Sequence, residues 1–268
     1  MGDKWLPSVK KALENLQESY GKLREVGRGP IDYTKPETQA AYVFAFAVGR
    51  CAFTSELLSM HAENLSKPLF GKTVLTVTSL GGGPGSELAG LLDYLSDPAS
   101  GESVTEIRYR VLDRNLSWQP VVADLVSRQD PNVEVILEFV CCDMASENDM
   151  AKVDLEGCDL IICSYLISEL FAHPQATEIS SNLKCLFRKA DVGTAMLYID
   201  SDAYSFYKFF NQSWKSVKGL RQVSEIQDDI DCRDREFGAT YREFAGILQT
   251  EPRLDGKIVS KYLVRESV

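Results

Sequence analysis

At 268 residues, 44% of them hydrophobic, the chain is long enough to bury a large core within one α/β domain. Its 39 acidic against 29 basic side chains leave a formal net charge of −10, which supplies no global positive field to draw in nucleic acid. Seven cysteines, an odd number without a C-x-x-C pair, favour free thiols in a reducing compartment over disulfides or zinc, and no uninterrupted apolar run reaches the ~18 residues of a membrane span, so a cytoplasmic protein without nucleic-acid or membrane partners is expected.

In chain order, Val9, Ala12, Leu13, Leu16, Tyr20 and Leu23 recur at helical spacing and predict an amphipathic helix over 8–24 whose simplest role is packing. Gly27 and Pro30 break that pattern. A second helix is predicted from Pro36, where a missing N–H costs little, with Glu37 near its positive end. From Ala40 to Val48 it is apolar almost all round, as in a helix covered on several sides.

Thr73 to Leu80 is an apolar and β-branched run without alternation, as expected of a strand buried on both faces of a parallel sheet. Gly81, Gly82, Gly83 and Gly85 break it; Pro84 suits a first helical turn, and Leu88, Leu91, Leu92 and Leu95 form the stripe of a helix folding back onto the sheet. Four glycines in five residues exceed what a turn needs, since glycine loses the most chain entropy on folding, and they point to close approach of a ligand to backbone N–H groups at a helix start. The dinucleotide fingerprint G-x-G-x-x-G fails at Ser86, and Gly71-Lys72-Thr73 precedes the strand where a P-loop would follow it.

A polar loop, 96–105, leads to a second strand from Glu106 to Leu112 that ends at Asp113. A third, from Val133 to Cys142, ends at Asp143, which can equally cap a short helix predicted at Ala145. A fourth, from Asp159, carries Ser164 and Tyr165 to the edge where open α/β sheets bind ligands. Ile179, Leu183, Leu186 and Phe187 mark a helix, and Gly193 to Ile199 a fifth strand opening onto Asp200-Ser201-Asp202. An aromatic-rich helix from Tyr204 to Trp214 reads mainly as core, and the charged stretch from Asp228 to Glu236 as a solvated loop. A helix with Tyr241, Phe244, Ile247 and Leu248 and a strand from Lys257 to Arg265 end the chain.

In the frame Gly81-x-Gly83-x-Gly85 the sequence resembles the class I (Rossmann-like) S-adenosylmethionine-dependent methyltransferases. The resemblance implies an α/β fold with a seven-stranded, mostly parallel doubly wound sheet whose last strand runs antiparallel, over residues 71–268, and an N-terminal helical lid, residues 1–70. It implies S-adenosyl-L-methionine as cofactor, cradled by Gly81, Gly83 and Gly85, with Asp113 on the ribose hydroxyls, Asp143 at the adenine amino group, Cys142 or Met144 on the ring, Ser164 at the strand edge and Tyr33, with Gln39 and Tyr42, in the lid. Tyr165 and Asp200 are the expected catalytic helpers beside the acceptor. Ser79 departs from the pattern, since the family has an acidic residue there. In the catechol-type members the metal-binding Asp-x-Asp follows the fourth strand, whereas Asp200-x-Asp202 follows the fifth, so no metal is expected. Ser164-Tyr165-Leu166-Ile167 lacks the Asn/Asp-Pro-Pro-aromatic motif of base amino-methyltransferases, which counts against a base amino group as acceptor; with an N-terminal lid a small-molecule acceptor is expected, and a protein acceptor, or a catalytically inactive binding protein of this fold, is the alternative.

Overall fold

The structure is a computed structural model, and it describes residues 5–65, 69, 71–97, 103–128, 132–235 and 238–268. A seven-stranded sheet runs in the order β3-β2-β1-β4-β5-β7-β6. Its strands are β1 (Val74–Leu80), β2 (Glu106–Asp113), β3 (Glu134–Cys141), β4 (Leu160–Ser164), β5 (Ala195–Ser201), β6 (Leu220–Asp231) and β7 (Asp255–Arg265). The first five pair in parallel, Val77 opposite Tyr109 on one side and Leu160 on the other; β7 lies antiparallel to both β5 and β6. Strand order reverses between β1 and β4, which places the ligand-binding crevice of such a sheet at their carboxyl ends.

The uninterrupted apolar runs have a direct cause. Successive side chains of a strand point to opposite faces, and both faces are covered. Leu160, Ile162, Leu197 and Ile199 enter one core with Val77, Leu88 and Leu91; Ile161, Cys163, Met196 and Tyr198 enter the other with Ile179, Leu183 and Phe187. The covering helices are α1 (Trp5–Gly21), α2 (Pro36–Tyr42), α3 (Val48–Met60), α4 (Ala62–Leu65), α5 (Ser86–Leu95), α6 (Gln119–Ser127), α7 (Glu147–Lys152), α8 (Ile167–Ala172), α9 (Ala176–Arg188), α10 (Tyr204–Trp214) and α11 (Gly238–Leu248).

A π-helical turn, Val43–Ala47, joins α2 to α3, so Pro36–Met60 is one continuous helix of 25 residues. It is long and apolar enough by composition to cross a bilayer, with a mean hydropathy of 1.3 in its most apolar stretch, although Arg50 interrupts the run. Over half of that stretch is buried inside the protein. Phe53, Leu57 and Leu58 of α3 share the core of α5 and the sheet, whereas α1 packs through Val9, Leu13 and Leu16 in a separate cluster with Phe44, Phe46 and Trp118.

Several elements differ from the sequence expectations. Asp228 to Asp231 do not lie in a loop: they end β6, an edge strand whose mixed exposed and half-buried residues hide the alternation a strand normally shows. His61, at the end of α3, ties this edge down through Nδ1 to Ser224 Oγ (2.7 Å) and Nε2 to Ser260 Oγ (3.0 Å). A short 3₁₀ turn, Leu116–Trp118, with α6, and the brief α8, were not expected from periodicity. The cap of α7 is Ser146, whose Oγ accepts from Asp149 N (3.2 Å), so the helix starts at Glu147; Asp143 instead holds the preceding turn by accepting from Ala145 N (2.9 Å). Of the loop 96–105, residues 98–102 lie outside the described residues, as does Glu236. All seven cysteines are free thiols, with Cys141 and Cys185 exposed.

Candidate active site

The glycine turn connects β1 to α5 at the switch point. Gly81, Gly83 and Gly85 all have positive φ, at 63°, 44° and 87°, a region costly for other residues. A Cβ on Gly81 would come within 2.6 Å of Leu166 Cδ1, so the bare backbone also lets the loop after β4 close in. The amides of these three glycines are spent inside the protein: Gly81 N donates to Leu112 O (2.7 Å), Gly83 N to Asp113 Oδ2 (3.0 Å) and Gly85 N to Gly82 O (2.9 Å). The loop therefore contributes its missing side chains more than free donors.

A cavity of about 90 Å³ opens above this turn. Of the residues expected at the site, Tyr33, Gly81, Gly83, Asp113, Asp143, Ser164 and Tyr165 line it together, as do Cys142 and Met144. Asp113 ends β2 with each oxygen holding one amide, Oδ1 that of Asn115 (2.8 Å) and Oδ2 that of Gly83. A carboxylate has about four acceptor sites, so capacity remains for a diol. Burial raises its pKa, opposed by the two amides.

Gly85 and Asp200 stand apart from the cavity. Gly85 caps α5 and faces Leu125 and Val122. Asp200 is fully buried at the end of β5, its Oδ2 accepting from Ser168 N and Oδ1 from Ser201 N, both at 2.8 Å. Burial pushes its carboxyl up to about 6 against those amides. Asp202 is engaged elsewhere, accepting from Gln227 Nε2 (2.7 Å), and among the described residues no group of three or more His, Cys, Asp or Glu could hold a metal ion. Tyr165 carries a positive φ of 52°, unusual for an aromatic residue, with its amide fixed to Ile199 O (2.8 Å). Burial raises its hydroxyl well above the ordinary tyrosine range, so at neutral pH it is a hydrogen-bond donor, not a base.

Residues that periodicity did not single out complete the site. Glu87, in the first turn of α5, is buried, and burial pushes its carboxyl up to about 7, opposed by its own backbone N–H and by the Arg50 charge. Its only sequence signal was an acid one turn into a helix, which reads as a dipole partner. Arg50 is the lone charge in an apolar helical run, a stronger signal. It is buried, donates to the Tyr42 hydroxyl, and lines the cavity. Trp118, also buried, meets the rings of Tyr33 and Tyr42 at centroid distances of 5.8 and 5.6 Å. Glu169 Oε1 accepts from the hydroxyls of both Tyr20 (2.7 Å) and Tyr33 (3.0 Å).

Residues 27–39 strap this mouth. Gly27 N and Arg28 N both donate to Ala172 O (2.9 and 2.8 Å), Asn115 Nδ2 donates to Tyr33 O (2.7 Å), and Gln39 Nε2 to Ser117 Oγ (2.5 Å). A larger groove of about 920 Å³ lies away from the glycine turn, between α1, α2 and α11, and is walled almost wholly by apolar groups such as Trp5, Val43 and Phe244. It offers no constellation for chemistry.

The residues present fit a polar, cationic nucleoside. Beneath and beside the glycine turn, Ser79 Oγ, Ser86 Oγ, Glu87 Oε2, Tyr109 OH and Ser164 Oγ are buried without a well-formed hydrogen bond, Ser164 facing Glu87 and Ser79 facing Tyr109 as their nearest polar groups, a concentration of under-satisfied oxygens unusual in a folded chain.

No protein-family model matches the sequence, and no curated protein does. Among solved structures, the chain is similar to loganic acid methyltransferase with SAH, at 10% identity over 90% of this chain and 99% of that one, with a TM-score of 0.50. An S-adenosylmethionine-dependent methyltransferase from Clostridium acetobutylicum also aligns, at 8% identity over 82% of this chain and 92% of that one, with a TM-score of 0.45. The strand order with its antiparallel last pair, the glycine turn at the switch point and the near full-length superposition on the first of these together give the chain the class I methyltransferase fold, its subfamily unidentified.

Proposed function

We propose that the protein is an S-adenosylmethionine-dependent methyltransferase acting on a small molecule. The observation that carries this reading is the meeting of Asp113, the side-chain-free turn and Ser164 in one cavity at the switch point, with the buried carboxyl of Glu87 behind Ser164 and outside the cavity lining. When bound, the cofactor would supply an electrophilic methyl group on a cationic sulfur, with a neutral thioether as leaving group, to an acceptor that brings the lone pair. Asp113 would hold the ribose hydroxyls, and Asp143, Cys142 and Met144 would face the base. Glu87, buried and short of partners, would take the place of the acidic residue absent at Ser79 and balance the cofactor's positive charge, since a buried carboxylate gains most from a cation in low dielectric.

The chain's own part is alignment and exclusion of water. Tyr33, Tyr42 and Trp118 wall the cleft, with Tyr20 and Tyr33 clamped on Glu169, and the residues before Val48 act as the lid. Tyr165 donates a hydrogen bond near the acceptor, and Asp200 fixes the loop that carries it by binding the Ser168 amide.

Calorimetric titration with S-adenosylhomocysteine tests the reading. Saturable heat with the wild-type chain is expected, with affinity lost about tenfold or more in Asp113→Asn, which keeps the shape and removes a charge-assisted acceptor. A chain that is folded by circular dichroism but gives no heat is instead a non-catalytic relative of the fold.

A further inference from the structure

A second cavity, of about 290 Å³, adjoins the first, and Arg50 and Tyr165 line both. It sits at the carboxyl ends of β4 and β5, where Ser168 and Ser201 contribute hydroxyls and Phe46, Phe53 and Phe206 apolar walls. Its charged residues are of one sign. Arg24, Arg50 and Arg253 line it, and no aspartate or glutamate does, in a chain whose acids outnumber its bases by ten.

Arg24 and Arg253 are exposed, and none of the three forms an ion pair among the described residues. Arg50 is only 6% exposed, and its guanidinium carbon lies over the rings of Tyr165 (4.4 Å), Tyr42 (4.9 Å), Tyr20 (5.5 Å) and Phe46 (5.5 Å). Of its five N–H donors, one is directed to the Tyr42 hydroxyl. Of the acids whose charge reaches it, Asp200 is committed to two amides and Glu169 Oε1 to two tyrosine hydroxyls, and Glu87 lies beyond ion-pair distance. Aromatic faces offset part of the lost hydration of a buried cation, but a buried charge with no anion in contact is the costly arrangement. A planar guanidinium matches carboxylate and phosphate oxygens with two parallel hydrogen bonds.

We propose that this second cavity is the acceptor site and that it takes a small molecule carrying a carboxylate or phosphate on an apolar body, the anionic group held by Arg50 with Arg24 and Arg253 at the mouth. The inference rests on the methyltransferase reading and names the substrate class of the same site. The aromatic walls accept the apolar body, and the two exposed arginines draw the anion inward.

The test titrates benzoate, phenyl phosphate and the neutral benzamide into the protein saturated with S-adenosylhomocysteine. At least one anion is expected to bind about tenfold more tightly than benzamide, and Arg253→Ala to weaken that anion about fivefold or more with S-adenosylhomocysteine affinity unchanged. Arg253 is chosen because its side chain is exposed and makes no ion pair among the described residues, so the variant keeps the fold. The anion that binds identifies the head group. Equal binding of benzamide, or an Arg253→Ala chain that binds the anions like wild type, overturns the proposal. So does an anion that binds only the free chain and is expelled by S-adenosylhomocysteine, because Arg50 then serves the cofactor's own carboxylate. If S-adenosylhomocysteine gives no heat, the methyltransferase reading fails by itself, and the same anion titrations on the free chain still decide whether the arginines form an anion site.

Discussion

Glu87 shows how a residue can be legible as local structure and illegible as chemistry. Its place in the first turn of α5 follows from the sequence, but only the fold buries it, to 4% exposure, and pushes its carboxyl up to about 7. Because the folded-state value lies above the unfolded one, the folded chain binds this proton more tightly between about 4.5 and 7. The contribution to stability is therefore complete below about 4.5 and declines as pH rises towards 7. Asp200, pushed up to about 6, acts in the same sense, whereas His61, driven down to about 4 by burial, acts in the opposite one. The clean measurement is thus a difference. Relative to Glu87→Gln, wild type should lose up to about 3 kcal/mol of urea-unfolding free energy between pH 4.5 and 7. Parallel pH profiles for the two chains would show that Glu87 does not carry this proton. Binding of S-adenosylmethionine, whose sulfonium carries the positive charge, should in turn release a proton near pH 7, seen as a dependence of the heat on the buffer's ionisation enthalpy, and Glu87→Gln should lose that release.

At the scale of elements, the continuous helix Pro36–Met60 joins two different tasks. Its second half belongs to the sheet's core and its first half to the cover over the cleft. Gly49 lies between them, where a Cβ would come within 2.0 Å of Arg253 O, so the missing side chain lets the segment before β7 reach the helix and bring Arg253 to the second cavity. The strap before α2, residues 27–35, hangs on the last carbonyl of α8 and the side chain of Asn115, not on a sheet or helix ladder, and such contacts open locally at little cost. A cavity of about 90 Å³ is far below the roughly 300 Å³ of a ligand pocket, so a nucleoside enters only if this cover shifts. Hydrogen exchange over 22–39 should accordingly change on addition of S-adenosylhomocysteine, with slower exchange at Gly27 and Arg28, whose amides are bonded to Ala172 O. Unchanged exchange in a chain that binds the nucleoside would remove the lid from the reading.

For the whole molecule, a ligand that binds only the folded chain raises stability by mass action, by about 2.7 kcal/mol at a hundredfold excess over Kd. In a chain of this size that corresponds to a rise in Tm of about 5 °C, measurable by calorimetry with S-adenosylhomocysteine and expected to shrink in Asp113→Asn. The sequence by itself determined the sheet: buried parallel strands must be apolar on both faces, so β1, β4 and β5 declare themselves, and β2 does so by alternation, with Arg108 and Arg110 on its outer face and Ile107, Tyr109 and Val111 inward, as do the glycine turn and Asp113 at a strand end. It did not declare β6, because an edge strand with one neighbour needs no apolar face, nor α6 and α8, which are too short or too mixed for periodicity to register. Burial and convergence were decided only by the tertiary structure. Arg50, Glu87, Trp118 and Glu169 come from four separate segments, and nothing local to any of them encodes that an arginine will lie among aromatic rings without a carboxylate, or that a glutamate will lose its water. Periodicity records which face of an element is apolar; the partner that covers that face, and the charge it leaves unbalanced, exist only once distant segments pack together.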